Sequence, residues 1–274
     1  MKLHSALFIT ICFLFNVGFG QLDHWETVVN DNSTWSYKVP SSTTSALWIS
    51  PAFDASSWSQ GPGGFGFGDN DDNTTIPTNS ASVYTRIEFN IANINQLVGL
   101  VLNFDYDDGY VAYLNGVEVS RNGLSGSGQP SFNQLANISH EAKLYQNQYP
   151  DQLFFTQNQL SSVLVNGTNV LCVEVHNQTI SSNDFTCRNF LSIGVNNATN
   201  TYGPPPSWFV PPVILTSSNL PIVVLDTYNV DIPDEPKIDG TMGIIFNGDN
   251  QINHISDPYN EFYGQIAIEK RNLT

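Results

Sequence analysis

The stretch from Asp105 to Arg121 constrains the fold more than any other part of the chain. It reads DYDDGYVAYLNGVEVSR, and two short alternating runs flank the Asn115-Gly116 pair. An Asn-Gly pair in this setting predicts a two-residue hairpin loop, because both loop positions adopt positive φ. A loop of two residues fixes the register. The predicted pairs, which would share one mostly apolar, core-facing side, are Leu114 with Val117, Ala112 with Val119 and Tyr110 with Arg121.

The rest of the sequence also favours strands over helices. Asn, Ser, Thr and Gly are abundant, Lys is scarce, and long amphipathic helical patterns are absent. A second turn is predicted at Asn166-Gly167. Further strands are predicted at 83–89, 98–104, 169–176, 190–195, 220–226, 242–247 and 264–269, of which 220–226 reads as a buried run.

Charge narrows the classes of partner. The chain has 9 basic and 25 acidic residues, a formal net charge of −16. Nucleic acid and anionic membranes are therefore excluded as expected partners. Aromatic residues make up 12% of the chain, so the acidic excess indicates a solvated globular surface rather than a disordered tail.

Residues 1–20 have the pattern of a cleavable secretory signal. Lys2 precedes an apolar run from Ala6 to Phe15 that is too short to span a bilayer, and Gly18 and Gly20 are small residues at the positions that a signal peptidase requires. We therefore expect a mature protein that begins at Gln21, is secreted or held at the cell surface, and has no membrane span.

Two cysteines follow the predicted signal. Export permits a disulfide between Cys172 and Cys187. By alternation, however, Cys172 lies on the polar face of its strand with Glu174 and His176, whereas Cys187 shares the parity of a core face. A bridge would need a bulge or twist, and two buried free thiols are the alternative.

An acidic loop is the candidate metal site. The run Asp69-Asn70-Asp71-Asp72-Asn73 offers side-chain oxygens of the kind that Ca²⁺ prefers, but Thr74 and Ser80 replace the Gly and Glu of an EF-hand. A Ca²⁺ site of another shape remains open, as does a purely solvated loop. The predicted ligands are Asp69, Asp71, Asp72 and Asp105, and no other cofactor is expected.

A candidate ligand site lies around the hairpin. Asp107 and Asp108 form the acidic corner that leads into its first strand, and Tyr110 faces Arg121 across it. His176 shares a face with Glu174, for which a structural pair is favoured over a catalytic dyad because no nucleophile has a recognisable context. The predicted ligand-binding residues are Asp107, Asp108, Tyr110, Arg121 and His176.

Aromatic residues and loops supply further candidates. Trp25, Trp35, Trp48 and Trp58 lie close together in sequence and suit either a sugar-stacking platform or a large β core. Residues 122–160 form a long polar excursion, as binding loops often do.

The segment 198–216 includes three consecutive prolines, a composition that predicts a stiff linker.

Two stretches resemble known families. The segments FDASSWSQGPGGFGFGD (53–69), DDGYVAYLNGVEVSR (107–121) and NGTNVLCVEVHN (166–177), with a Tyr-Thr-Arg strand at 84–86, resemble the galactose-binding-like β-sandwich of secreted bacterial proteins. The segments at 218–248 and 257–271 resemble the opening of the CotH family of spore-coat or secreted atypical kinases.

These resemblances imply an all-β protein with a modular order. We expect a galactose-binding-like, jelly-roll type β-sandwich at 21–197, the linker at 198–216, and a short β-rich extension at 217–274 that is the start of a CotH-like domain. Such a chain would be a non-catalytic accessory module directed at a glycan or a cell-surface polymer. The alternatives are a spacer that packs against a downstream CotH domain and a part of a kinase whose catalytic residues lie beyond this chain.

Overall fold

The computed structural model describes residues 21–69, 71–213, 215, 217–228, 230 and 232–270. The predicted signal at 1–20 lies outside these residues. The chain divides into two units, Met1–Pro212 and Val213–Thr274. None of the helices in the described part is long and apolar enough to cross a membrane.

The first unit is built almost entirely from strands. One short α-helix, absent from the sequence prediction, begins near the end of the predicted excursion at 122–160. The elements are β1 (His24–Val29), β2 (Thr34–Lys38), β3 (Ser59–Pro62), β4 (Phe65–Phe67), β5 (Thr74–Thr75), β6 (Ser82–Ile91), β7 (Leu97–Asp107), β8 (Gly109–Leu114), β9 (Val117–Asn122), β10 (Asp151–Thr156), α1 (Gln157–Val163), β11 (Gly167–His176) and β12 (Phe185–Val195).

These strands form two six-stranded sheets. In the first sheet the order is β10-β7-β12-β4-β5, and β1 also pairs with β12. In the second sheet the order is β3-β2-β6-β11-β8-β9. Buried apolar side chains of both sheets belong to one core cluster. The predicted all-β sandwich is confirmed.

Alternation along the strands separates two apolar layers. On β11, Leu171 and Val173 point into the core between the sheets. Cys172, one position along, belongs to a second cluster on the outer face of the second sheet, with Trp48 and Tyr113. A segment that contains a 3-10 helix at Ala46–Ile49 covers this face, so the strand is buried on both sides.

The predicted hairpin turn is confirmed, but its register is only partly correct. Asn115 has φ 52° and Gly116 has φ 86°, and Leu114 pairs with Val117. A bulge between Ala112 and Tyr113 then shifts the ladder. The observed pairs are Tyr113 with Glu118, Ala112 with Ser120, Val111 with Arg121 and Tyr110 with Asn122.

Two further expectations about the hairpin and the cysteines are settled by burial. Val117 is 53% exposed and does not face the core, because it lies at the solvent-facing tip of the hairpin.

Cys172 and Cys187 are both buried and free. They belong to different apolar clusters on opposite sides of a sheet, which confirms the alternative of two buried thiols.

The proline-rich segment packs on the sandwich as far as Pro212. The backbone N–H of Thr27 donates to the carbonyl of Gly203 at 2.8 Å, and the Trp208 ring meets that of Phe190 edge-on at 4.8 Å. Residues 203–212 therefore belong to the first unit by their contacts.

The second unit contains the predicted C-terminal strands. They are β13 (Ser217–Ser218), β14 (Ile222–Asp226), β15 (Ile238–Ile245), β16 (Asn253–His254) and β17 (Phe262–Ile268). A three-stranded sheet has the order β14-β15-β17, and β13 pairs with β16. The expectation that 220–226 is a buried run is wrong, because Val223 and Leu225 are exposed.

Candidate functional site on the outer face of the first sheet

Alternation along β7 creates a polar track on the outer face of the first sheet. Leu102, Phe104 and Tyr106 point into the core. Asn103, Asp105 and Asp107 therefore lie on the opposite face, since successive side chains of a strand point to opposite sides. All three are buried beneath the segments that cross this face.

Strand pairing gathers acidic residues at the end of this track. Thr186 of β12 lies between Asp107 of β7 and Gly66 of β4. The residues just before β12 and just after β4 are therefore brought to the end of β7. We call the resulting group the acidic cluster, and it consists of Asp69, Asp71, Asp72, Asp105, Asp107, Asp108, Glu141 and Asp184.

Two of these carboxylates are satisfied by backbone N–H groups of nearby loops. Asp105 accepts from the N–H of Lys143 at 2.6 Å and of Leu144 at 3.2 Å. Asp108 accepts from the N–H of His140 at 2.9 Å and of Gln178 at 2.7 Å. These two aspartates hold the loops over the sheet, which is a structural role.

The charge of Asp71 is offset in part by a nearby arginine. Its two carboxylate oxygens are buried without a hydrogen-bond partner, and Nη1 of Arg188 lies 4.0 Å from its Oδ2. Arg188 itself is held by two hydrogen bonds to Asp31, at 2.8 and 2.7 Å. Burial, together with Asp71 and Asp69, raises the pKa of Asp72 to about 7. Burial and then Asp184 raise the pKa of Asp69 to about 6.

Three carboxylates converge without a compensating cation. Ligand oxygens of Asp107, Glu141 and Asp184 all lie within 4.8 Å of one another. Among the described residues, no lysine, arginine or histidine forms an ion pair with any of them. Asp107 is only 2% exposed, and its Oδ2 has no hydrogen-bond partner. Burial and the neighbouring Asp108 raise the pKa of Asp107 to about 9.

A groove lies further along the same polar track. Its volume is about 280 Å³, and we call it the aromatic groove. Tyr149 is 65% exposed at its rim, and Asn103 is buried with an amide oxygen that has no partner. Gln152 uses one N–H to donate to the carbonyl of Val210 at 3.0 Å. The lining residues are Asn103, Tyr149, Pro150, Gln152, Trp208 and Val210.

The structure brings together six of the nine residues predicted for ligand or metal binding. Asp107 and Asp108 lie with the four predicted metal ligands Asp69, Asp71, Asp72 and Asp105 in the acidic cluster. The remaining three predicted residues lie elsewhere.

Each of those three is engaged in its own contacts. Tyr110 is in the core, where its hydroxyl is 2.6 Å from that of Ser120. Arg121 makes two 2.8 Å hydrogen bonds to Glu118. His176 is fully buried, with Nδ1 2.8 Å from the carbonyl of Gln134.

Glu174 and His176 form the predicted structural pair. Nε2 of His176 lies 3.2 Å from one carboxylate oxygen of Glu174, and the Tyr113 hydroxyl donates to the other at 2.6 Å. All three side chains are buried. This network satisfies buried polar atoms and has no access for a substrate.

Sequence reasoning missed Glu141, Asp184 and the residues of the aromatic groove. Glu141 is in the long loop after β9, and Asp184 is one residue before β12. Nothing local marks either residue as a ligand, because Asp184 reaches Asp107 through the pairing of β12 with β7, and Glu141 does so through the hydrogen bonds that its loop makes to Asp105 and Asp108. The one available signal was the general tendency of long loops to carry binding residues.

Comparison with known proteins leaves the chain without an assigned family. No family model matches, and no curated protein matches. Among solved structures, a β-glucuronidase from Bacteroides uniformis is similar at 12% identity with a TM-score of 0.40, over 91% of this chain and 27% of that one. A β-glycosidase from Bacteroides vulgatus is similar at 10% identity with a TM-score of 0.35, over 83% of this chain and 24% of that one.

This chain thus spans about a quarter of the length of these enzymes. Similarities at this level carry no argument about activity. The class of the protein, an all-β sandwich, rests on the strand order and the shared core.

Proposed function

We propose that this chain is a non-catalytic accessory module that binds an uncharged glycan in the aromatic groove. The observation that supports the proposal is the combination of an exposed aromatic ring with an unsatisfied buried amide oxygen in one groove. A sugar ring has an apolar face that packs on an aromatic side chain, and hydroxyls that exchange hydrogen bonds with amides.

The free hydrogen-bonding capacity of the groove suits hydroxyl groups. The amide oxygen of Asn103 can accept a hydrogen bond from a ligand hydroxyl, which would relieve a buried unsatisfied atom. Gln152 retains its carbonyl oxygen and one N–H after its bond to Val210. Tyr149 and Trp208 supply the aromatic surface.

The charge of the module favours an uncharged ligand. The chain carries a formal net charge of −16, and the acidic cluster lies on the same face of the sheet as the groove. An anionic polymer would therefore be repelled on approach. Neutral polysaccharides are the expected class.

A second groove on the other sheet is a weaker candidate. It measures about 380 Å³ and is lined by Arg86, Glu88 and Phe53, among others. The Arg86 guanidinium already donates to the carbonyls of Pro51 and Phe53 and to Glu88, so it has little left to offer a ligand.

Affinity electrophoresis of the full chain in gels with galactomannan, xyloglucan or mixed-linkage β-glucan tests the proposal. We expect retardation by at least one of these polymers, and about tenfold weaker binding for Tyr149→Ala. Tyr149→Phe should retain binding because it keeps the ring. Tyr145→Ala, which changes an exposed tyrosine outside the groove, is the matched control.

The outcomes separate the competing hypotheses. Loss of binding in Phe53→Ala but not in Tyr149→Ala would place the site in the second groove. Absence of retardation by any polymer would contradict the proposal and favour the spacer role. Retardation by polygalacturonate alone would contradict the assignment of an uncharged ligand.

The proposal also covers export and the second unit. Residues 1–20 act as a secretory signal, and residues 217–274 open a CotH-like domain; both statements are supported by the sequence patterns alone. The chain itself transfers no phosphate in this proposal. Incubation with labelled ATP and Mg²⁺ or Mn²⁺ checks this, since incorporation that scales with protein concentration would establish catalysis.

A further inference from the structure

We infer that Asp107, Glu141 and Asp184 form a Ca²⁺ site at the end of the first sheet. The site differs from the calcium ligands predicted from the sequence, which were Asp69, Asp71, Asp72 and Asp105. It is independent of the proposed glycan binding, because it rests on other residues.

The first argument is the unsatisfied state of Asp107. Asp107 is only 2% exposed, and its Oδ2 has no hydrogen-bond partner. A buried carboxylate oxygen without a partner is costly, and a bound cation is one of the few groups that can satisfy it. The other buried aspartates of the cluster, Asp105 and Asp108, already accept backbone N–H groups.

The second argument is geometric. Carboxylate oxygens of Asp107, Glu141 and Asp184 lie within 4.8 Å of one another. Two oxygens bound to one Ca²⁺ lie at most roughly 4.6–5.2 Å apart, because Ca–O distances are about 2.3–2.6 Å, so the three oxygens are close enough to share one ion. Mg²⁺ requires a near-octahedral shell and usually takes one or two carboxylates, so three carboxylates from separate segments suit the more flexible coordination of Ca²⁺.

The third argument is the chemistry of the donors. All three donors are carboxylates. Cys172 and Cys187 are buried in the apolar clusters, so neither thiol is part of the site. A site of hard oxygen ligands selects Ca²⁺ over Zn²⁺ or Cu²⁺. Glu141 is exposed and Asp184 is half-buried, so the site is open to solvent and to ligand waters.

The charges around the three ligands also favour a bound cation. The negative charges of Asp184 and Glu141 contribute to the raised pKa of Asp69, so a third carboxylate adds to the negative charge there. Asp71 is neutralised in part by Arg188. The three proposed ligands have no such cation within ion-pair distance among the described residues.

Thermal unfolding of the full chain with CaCl₂ as the probe tests the inference. The melting temperature in EDTA is compared with that in CaCl₂, with MgCl₂ and NaCl at equal ionic strength as controls. At a Ca²⁺ concentration 100-fold above Kd, we expect a rise of roughly 5–10 °C, with a smaller effect of Mg²⁺ and none of NaCl.

Glu141→Gln and Asp184→Asn are the diagnostic variants, because neither removes a fully buried side chain. Each should weaken Ca²⁺ affinity in calorimetry at least tenfold. Each should also leave the melting temperature in EDTA unchanged or raised, since a like charge has been removed. A merely structural role would lower that temperature.

Matched controls come from the second unit. Glu261→Gln and Asp239→Asn make the same chemical changes at exposed positions and should not alter Ca²⁺ affinity. Unchanged melting at 10 mM CaCl₂ would overturn the inference. Wild-type affinity in both diagnostic variants would overturn it as well, because Ca²⁺ would then bind elsewhere. Neither result would bear on the polysaccharide test.

Discussion

At the scale of single residues, backbone conformation at the hairpin tip is set by two residues. Asn115 and Gly116 both have positive φ, a conformation that Gly adopts freely and β-branched residues adopt only with strain. A Cβ atom on Gly116 would meet nothing closer than 3.7 Å. The requirement for Gly is therefore conformational and not a matter of space.

Gly116→Val should lower the free energy of unfolding by about 1–3 kcal/mol through backbone strain alone. Urea denaturation followed by tryptophan fluorescence measures the change. Val117→Thr, at the exposed neighbouring position, is the control and should change stability by less than about 0.5 kcal/mol. Equal stability of Gly116→Val and the wild type would contradict the observed turn.

The two cysteines should be inert in the folded protein. Cys172 and Cys187 are fully buried, and burial raises the pKa of each thiol to about 12. Because the thiolate is the reactive species, native protein that lacks residues 1–20 should not react with Ellman's reagent at pH 8. The same protein in guanidinium chloride should yield both thiols. Reaction of one thiol without denaturant would show that its apolar cluster opens readily.

At the scale of elements, the segment after β12 does more than join two units. Residues 203–212 cover part of the first sheet's outer face. The ring centroids of Phe209 and Trp25 are 5.5 Å apart, and those of Trp208 and Phe190 are 4.8 Å apart. The same segment supplies Trp208 and Val210 to the aromatic groove. Its packing is therefore connected with the proposed binding function.

A chain cut at Asn197 should be less stable than one cut at Pro212. The shorter chain exposes Trp25 and Phe190 and loses the backbone hydrogen bond from Thr27, so we expect a loss of about 2–4 kcal/mol. Thermal melts of residues 21–197 and 21–212 make the comparison. Identical melting temperatures would mean that the segment contributes nothing to the sandwich.

At the scale of the whole molecule, the boundary between units falls at Pro212 and Val213. Limited proteolysis should therefore yield a resistant fragment that ends near residue 212 rather than near residue 200. Mass spectrometry of the fragment identifies its end. A first cut within β7, β11 or β12 would contradict this division, because these strands lie at the centres of the sheets.

The sequence by itself determined the features that depend on neighbouring residues. Asn115-Gly116 specified the hairpin loop, because the required φ values are a property of those two residues. Alternation identified β7 and β11 and placed Cys172 and Cys187 on the correct sides of their strands, since side chains of a strand alternate regardless of context. The side of Cys172, which was predicted to be polar, also carries the apolar cluster with Trp48 and Tyr113. The acidic residues near the hairpin and after β4 were also recognised as candidate ligands.

Only the tertiary structure decided which residues meet. A bulge at Ala112 displaced the hairpin register, and no local signal marks it. Asp107, Glu141 and Asp184 are far apart in sequence. The pairing of β12 with β7 brings Asp184 to Asp107, and the hydrogen bonds from the loop after β9 to Asp105 and Asp108 bring Glu141 there. Likewise, Asn103 became part of a groove only because β10 and the segment after β12 lie beside it. Local rules fix conformation and face, whereas contacts between distant segments depend on strand order, which is decided by the packing of the whole sandwich.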